Sequence, residues 1–161
     1  MRNPIFLLIL AVSLLAPASA NAGKIRFESA NQLRSTSTPT GTVIEFIGDV
    51  HFVKDSSDLT SDYGVLYEAQ QFVRLLGNVR IRQPLQALAA DSLHFDQRTE
   101  TTRAWGQVVV EDQQRHVRIT GKRGIFAERD KSMFMTGEPE LTVDYDLQKV
   151  PTVINADTIR F

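Results

Sequence analysis

The side chains that could perform chemistry are few and widely spaced in this sequence. The three histidines, His51, His94 and His116, stand alone, without the His-x-His or His-Glu-x-x-His spacing of a metal site. An acidic run near the C-terminus could offer oxygen ligands to a hard cation such as calcium, but it lacks EF-hand spacing. Its members are Glu138, Glu140, Asp144 and Asp146. We therefore expect no metal and no other cofactor.

Catalytic motifs are also missing. The chain contains no cysteine, which excludes a thiol nucleophile, disulfides and thiolate metal sites. It has no Gly-x-Ser-x-Gly motif and no glycine-rich phosphate loop. A paired-carboxylate glycosidase stays open, because the partners in such a site converge only in space. We expect that the protein is not an enzyme.

Four arginines and the tryptophan have two interpretations each. Arg80, Arg82, Arg115 and Arg118 could bind phosphates through bidentate hydrogen bonds, or they could simply solvate a strand face. Trp105 could mark a contact surface for a partner, or it could pack under a neighbouring loop. With 18 basic and 19 acidic residues, the chain lacks the basic excess of a nucleic-acid protein.

The N-terminus predicts export. A positive charge at Arg2 precedes an apolar run at residues 5–15, and small residues follow at 18–22. This is the pattern of a secretory signal peptide, and the run is shorter than the roughly twenty residues of a membrane-spanning helix. We expect residues 1–22 to be a cleaved signal peptide and residues 23–161 to form a single domain.

The strongest feature is a repeat. "FIGDV" at 46–50 returns as "LLGNV" at 75–79, as "AWGQV" at 104–108 and, in weaker form, as "MTGEP" at 135–139. The glycines of these segments lie 29, 29 and 31 residues apart, a period typical of a stacked repeat architecture.

Apolar residues alternate around each glycine, which predicts β-strands with one buried face. A second element, represented by "LAADSLHF" at 88–95 and "INADTIRF" at 154–161, changes its parity after the Asp, as a strand does at a bulge or corner. The Ser/Thr-rich segment at 29–40 is predicted to be a loose connection after a short first strand at 24–28. The predicted inward residues are Phe46, Val50, Phe52, Leu75, Val79, Ile81, Leu93, Phe95, Val108, Phe126, Met133 and Met135.

The Gly-x-Val strands and the Leu/Ile-x-Ala-Asp strands, in register over residues 41–161, resemble the OstA-like or LptA family of periplasmic lipopolysaccharide transport bridge proteins. The resemblance implies an all-β fold, an open, taco-like antiparallel β-jelly-roll built from about four two-strand repeats of roughly 29 residues. It also implies a periplasmic, non-enzymatic carrier that holds the acyl chains of lipopolysaccharide, at its lipid A moiety, in an apolar trough. The inward residues would line that trough. Without the resemblance, they could equally fill an ordinary sandwich core.

The two ends of an open sheet predict assembly. Unpaired edge strands recruit further strands, so we expect head-to-tail homo-oligomers and pairing with related transport domains at the inner and outer membranes. The alternative is a monomer whose edges are covered by residues 29–40. The predicted edge residues are Ile25, Phe27, Ile154, Ile159 and Phe161.

Two other functions remain open at this stage. On the same fold, the chain could be the N-terminal periplasmic domain of an outer-membrane lipopolysaccharide assembly protein, truncated before its barrel. In another class, it could be a structural or carbohydrate-binding β-repeat protein, with a closed and filled sandwich.

Overall fold

The computed structural model describes residues 26–54, 56–127, 129–130, 132–144 and 152–160. The predicted signal peptide and two of the predicted edge residues, Ile25 and Phe161, lie outside these ranges. Among the described residues, no helix is long and apolar enough to cross a membrane.

Twelve strands form one antiparallel sheet in the described part of the chain. Their bounds are β1 Arg26–Ser29, β2 Gln32–Thr38, β3 Gly41–Lys54, β4 Ser57–Tyr67, β5 Phe72–Arg82, β6 Gln86–Asp96, β7 Thr101–Asp112, β8 Val117–Ala127, β9 Ser132–Thr136, β10 Glu140–Val143, β11 Thr152–Asn155 and β12 Thr158–Arg160. The predicted all-β class is confirmed.

Strands β3 to β8 pair in sequence order, each with the next. At one edge, β1 and β2 both pair with β3, so together they form one interrupted strand. At the other edge, β9 and β10 both pair with β8, and β12 and β11 pair in turn with them. Within the described residues the two edges do not pair with each other, so the sheet is open.

The prediction for residues 29–40 was wrong. Residues Gln32–Thr38 form β2, which pairs with β3 along its whole length, from Gln32 opposite Ile47 to Thr38 opposite Gly41. This strand has almost no apolar alternation because it is an edge strand with nearly every side chain exposed. Residues 29–40 therefore do not cover an edge; they contribute to one.

The first three repeated glycines lie at β-bulges, and the fourth, Gly137, lies between β9 and β10. In β3, β5 and β7 the glycine and the residue after it lie opposite a single residue of the neighbouring strand, and the register shifts there. Gly77 and Gly106 have φ angles of 75° and 96°, in the region that disfavours side chains. A bulge bends its strand and strengthens the local twist.

The bulges fold the sheet into two arms. The first arm contains the strand segments before Gly48, Gly77 and Gly106, the segments that pair with them, and β2, β9 and β12. The second arm contains the strand segments after these glycines, the segments that pair with them, and β1, β10 and β11. Phe46 and Phe52 lie on either side of the β3 bulge, and their ring centroids are 5.1 Å apart. Six residues of a straight strand would span about 20 Å. The two arms therefore face each other across their inward side chains.

The two sequence motifs meet at this bend, which we call the corner. A Cβ atom added to Gly77 would lie 2.3 Å from Asp62 Oδ2, and one added to Gly106 would lie 2.0 Å from Asp91 Oδ2. In these two repeats the Asp of the second element thus occupies the space that the next glycine leaves empty. This close approach explains why the glycine and the Asp recur together.

Polar pairs join neighbouring strands along the corner. Asn78 Nδ2 donates to Asp62 Oδ2 at 2.8 Å, and Asn31 Nδ2 donates to Asp49 Oδ2 at 3.0 Å. Where the third repeat replaces the Asp by Lys122, its ammonium group lies 2.8 Å from Glu138 Oε1. Here a salt bridge therefore joins the neighbouring strands, as the Asn–Asp hydrogen bonds do elsewhere along the corner.

Candidate functional site

The space between the arms is the candidate site. All twelve predicted inward residues belong to one apolar cluster, and each is at most 7% exposed. Leu93 and Met135 of the first arm and Val79 and Val108 of the second are 0% exposed. Full burial of such side chains contributes about 1.5–3 kcal/mol each, so these contacts hold the arms together.

The cluster is larger than the predicted set. The additional buried members include Leu59, Leu66, Val73, Leu88, Ala90, Ala104 and Ile119. Signals for five of them were present in the sequence: Leu59, Leu88 and Ile119 each lie 18 residues before a repeated glycine, and Val73 and Ala104 share the strand parity of Gly77 and Gly106.

The interior is chemically uniform. Among the described residues, the buried polar ones are Ser61 and Thr102, and no charged side chain is buried. Such a space offers dispersion contacts and few hydrogen bonds, so it suits hydrocarbon chains and excludes ionic groups, whose unpaired burial is costly.

The interior reaches the open edges. At the first edge, the ring of Phe27 packs against Phe46 and Phe52, with centroids 5.2 Å and 5.6 Å away, yet Phe27 remains 39% exposed. At the last edge, Ile159 is buried, whereas Ile154 is 47% exposed, and no further strand of the described residues pairs with β11. Within the described ranges, both edges therefore present apolar side chains beside unpaired backbone.

The outer side of the first arm carries a row of rings. The contacts run from Tyr67 to Phe72, from Phe72 to His94 and from His94 to Trp105, with centroids 6.0, 5.4 and 4.5 Å apart. Trp105 is half-buried and packs against the ring of His94 on the neighbouring strand. The alternation had predicted a polar outer face, so this row was missed.

The surroundings of His94 favour the neutral form of its imidazole ring. Burial lowers the pKa of His94, and the positive charges of Arg74 and Arg103 lower it further. The register explains the charges, because Arg74 and Arg103 lie directly opposite His94 on the two adjoining strands. His94 therefore behaves as one more aromatic member of the row.

The other residues considered from sequence are spread over the surface. Arg80, Arg82 and Arg118 lie on the outer side of the second arm, and Arg115 lies in the hairpin between β7 and β8. In the acidic run, Glu138 pairs with Lys122, and Asp146 lies outside the described residues. Within the described ranges, no group of three or more His, Asp or Glu residues could hold a metal ion.

Comparison with known proteins places the chain in a family. The sequence model of the OstA-like protein family matches residues 22–122, which is more than half of the chain. The chain belongs to the OstA-like family. The matched OstA-like region includes β1 to β7 and the first half of β8, and therefore the first three repeated glycines with their bulges.

A solved structure shares the fold of this OstA-like chain. The crystal structure of LptH, the LptA-homologous periplasmic component of the lipopolysaccharide transport device of Pseudomonas aeruginosa, superposes with a TM-score of 0.59. The alignment covers 82% of this chain and 93% of LptH, at 12% sequence identity, so the similarity concerns the fold. No curated protein matches the OstA-like sequence. The predicted open jelly-roll of OstA-like type is confirmed.

Proposed function

We propose that this OstA-like protein is a periplasmic lipid carrier that holds the acyl chains of lipopolysaccharide between its two arms. As part of a head-to-tail bridge, it passes the lipid from the inner to the outer membrane. The observation that carries the proposal is the apolar interior, which extends from Phe27 to Ile159 without a buried charge among the described residues. The fold shared with LptH, a lipopolysaccharide transport component, supports it. Export depends on the predicted signal peptide at residues 1–22.

Binding requires exchange of contacts. Transfer of one methylene group from water into an apolar site is worth about 0.8 kcal/mol. The inward side chains already contact one another, so an entering acyl chain must displace some of those contacts or separate the arms. Met133 and Met135 lie in the interior, and their unbranched side chains can adapt to such a change. Several chains bound together would give a useful net affinity.

Site-specific photo-crosslinking in cells tests the carrier function. A photoreactive residue at Phe95, which points inward and is 1% exposed, is expected to crosslink to lipopolysaccharide. The matched control is the same residue at His94, the preceding position on β6, whose side chain lies on the outer side. The Phe95 variant should give a lipid adduct and the His94 variant should not.

The pattern of adducts decides the outcome. Adducts from inward positions of both arms, for example Phe95 and Ile81, would support a lipid-filled interior. Adducts to protein alone at every inward position, in variants that fold normally, would contradict it and indicate a closed sandwich core.

The bridge is tested separately by blocking one edge at a time. Leu33 of β2 and Ile154 of β11 are 55% and 47% exposed, and both lie on the inward side of an edge. An edge lysine opposes strand addition. We expect Leu33→Lys or Ile154→Lys to weaken self-association at least about tenfold in light scattering. Leu85→Lys is the control, because Leu85 is 49% exposed but lies in a hairpin away from both edges.

Mixing the variants sharpens this test. Leu33→Lys leaves the last edge intact, and Ile154→Lys leaves the first edge intact. A mixture should therefore form one-to-one dimers, although each variant alone is monomeric. Monomers in the mixture, or unchanged oligomers in the single variants, would contradict pairing between two different edges.

A further inference from the structure

The outer side of the second arm contains a trench that is separate from the interior. It has a volume of about 280 Å³, and its lining includes Arg80, Arg82, Ala87, Ala89, Val109 and Arg118. Strand alternation places Ala87 and Ala89 on the outer side, since Leu88 between them is buried in the interior. A ligand in the trench would therefore be separated from the interior by the thickness of the sheet.

The register of three strands builds the trench. Ala89 of β6 lies opposite Arg80 of β5 on one side and Val109 of β7 on the other. One step along, Ala87 lies opposite Arg82 in the same way. Two short methyl side chains between longer neighbours leave a depression with an aliphatic floor and guanidinium groups along its wall.

The charge of the trench is unbalanced. Three guanidinium groups line it, and the one carboxylate among its lining residues, Glu111, accepts a hydrogen bond from Arg118 at 2.6 Å. Asp58 lies opposite Arg82 on β4, but its carboxylate lies 2.9 Å from His51 Nε2. Within the described part of the chain, neither Arg80 nor Arg82 forms an ion pair with a carboxylate. The trench is therefore a site of local positive charge in a protein whose formal net charge is −1.

We propose that this trench binds a phosphorylated sugar. A guanidinium group presents a planar fork of donors that matches two oxygens of a phosphate, so Arg80 and Arg82 hold the phosphate. The floor of Ala87, Ala89 and Val109 contacts the apolar C–H face of the sugar ring. This function is additional to the proposed carriage of acyl chains, because the two sites lie on opposite sides of the sheet.

An adjoining depression favours a sugar over a bare phosphate. It has a volume of about 360 Å³, shares Arg80 with the trench, and is also lined by Thr60, Asn78 and the carboxylates of Asp49 and Asp62. Hydroxyl and amide groups of this kind supply the hydrogen bonds that sugar hydroxyls need. A phosphate at Arg80 can therefore carry its sugar toward either depression.

Calorimetric titration of the purified protein with glucose 1-phosphate, at about 0.15 M salt to screen diffuse attraction, tests the proposal. Inorganic phosphate and glucose are the comparison ligands. We expect glucose 1-phosphate to bind at least about tenfold more tightly than inorganic phosphate and glucose to show no binding. Equal affinity for inorganic phosphate and the sugar phosphate would overturn the proposal.

Three variants separate the trench from general surface charge. Arg82→Gln removes one fork, and we expect it to lower the affinity about tenfold, the usual worth of one charge-assisted contact. Ala89→Leu fills the floor while leaving every arginine in place and should lower the affinity by a similar factor. Arg98→Gln is the control, because Arg98 is also exposed but lies in the hairpin between β6 and β7.

Unchanged binding by Ala89→Leu, or an equal loss in Arg98→Gln, would overturn the trench as the site. The far-ultraviolet circular dichroism spectrum establishes that each variant is folded.

Discussion

Replacement of Leu93 by alanine is expected to lower the free energy of unfolding by about 3–5 kcal/mol. Leu93 is 0% exposed and belongs to the apolar cluster between the arms. The substitution removes the transfer free energy of the lost methyl groups and leaves a cavity that the facing arm can fill only in part. Chemical denaturation followed by circular dichroism measures the change.

Ser92→Ala is the matched control for this prediction. Ser92 precedes Leu93 on β6, and its side chain lies on the outer side, opposite Trp105 of β7. A change of less than about 0.5 kcal/mol is expected there, as for most surface substitutions. A loss below about 1 kcal/mol for Leu93→Ala would show that the interior is loosely packed around this position.

A bound acyl chain should reduce the effect of Leu93→Ala. If the lipid occupies the interior, part of the cavity is filled by hydrocarbon, and the variant then loses less stability relative to the unsubstituted protein. A loss that is the same with and without lipopolysaccharide would place the lipid elsewhere. Comparison of Leu93→Ala with the unsubstituted protein therefore tests both the packing of the interior and the binding of lipid there.

Replacement of Gly106 by alanine is expected to cost about 2–4 kcal/mol in total. At a φ of 96° the backbone itself opposes a side chain, and this contributes about 1–2 kcal/mol. The rest comes from Asp91, whose Oδ2 atom lies 2.0 Å from the position of the new Cβ and must move. Denaturant unfolding of the variant measures the sum.

A double-mutant cycle separates these two causes. Asp91→Ala alone removes an exposed carboxylate and should change stability by less than about 1 kcal/mol. In the Gly106→Ala background the same substitution should recover part of the loss, because it removes the Oδ2 and Cγ atoms of Asp91 but leaves its Cβ atom 2.5 Å from the new Cβ and leaves the backbone strain. Strictly additive losses would contradict the close approach at the corner.

The sequence predicts the strands themselves better than it predicts which residues lie side by side on neighbouring strands. Alternation around Val79 identifies β5, and alternation at Leu93 and Phe95 identifies β6. It also identifies their inward face, because burial on one side of a strand has a period of two. The recurrence of the Asp and the glycine also predicts a bend in each repeat. It does not predict that Asp62 fills the space beside Gly77, since this depends on which residues the pairing brings side by side.

The same limit applies to the outer surfaces. The trench exists because Ala89 lies between Arg80 and Val109, residues from three different strands. The ring row likewise depends on the position of His94 beside Trp105. For β2, the failure has a different cause, because an exposed edge strand satisfies its backbone by pairing on one side and needs no apolar pattern. Polar composition at residues 32–38 therefore gave no sign of a strand.

The direction of the edge strands has a consequence for any filament that the molecule builds. β1 followed by β2 runs from the second arm to the first, and β11 followed by β12 runs the same way. When the arms of successive molecules continue one another, the strands at the junction are parallel, although every pairing within the described sheet is antiparallel. Parallel pairs are slightly less stable per residue than antiparallel pairs. We therefore expect the junction between two molecules to separate before the strands within each molecule do. Since each repeat adds two long strands, a gain or loss of one repeat changes the length of the molecule and preserves the polarity of the filament.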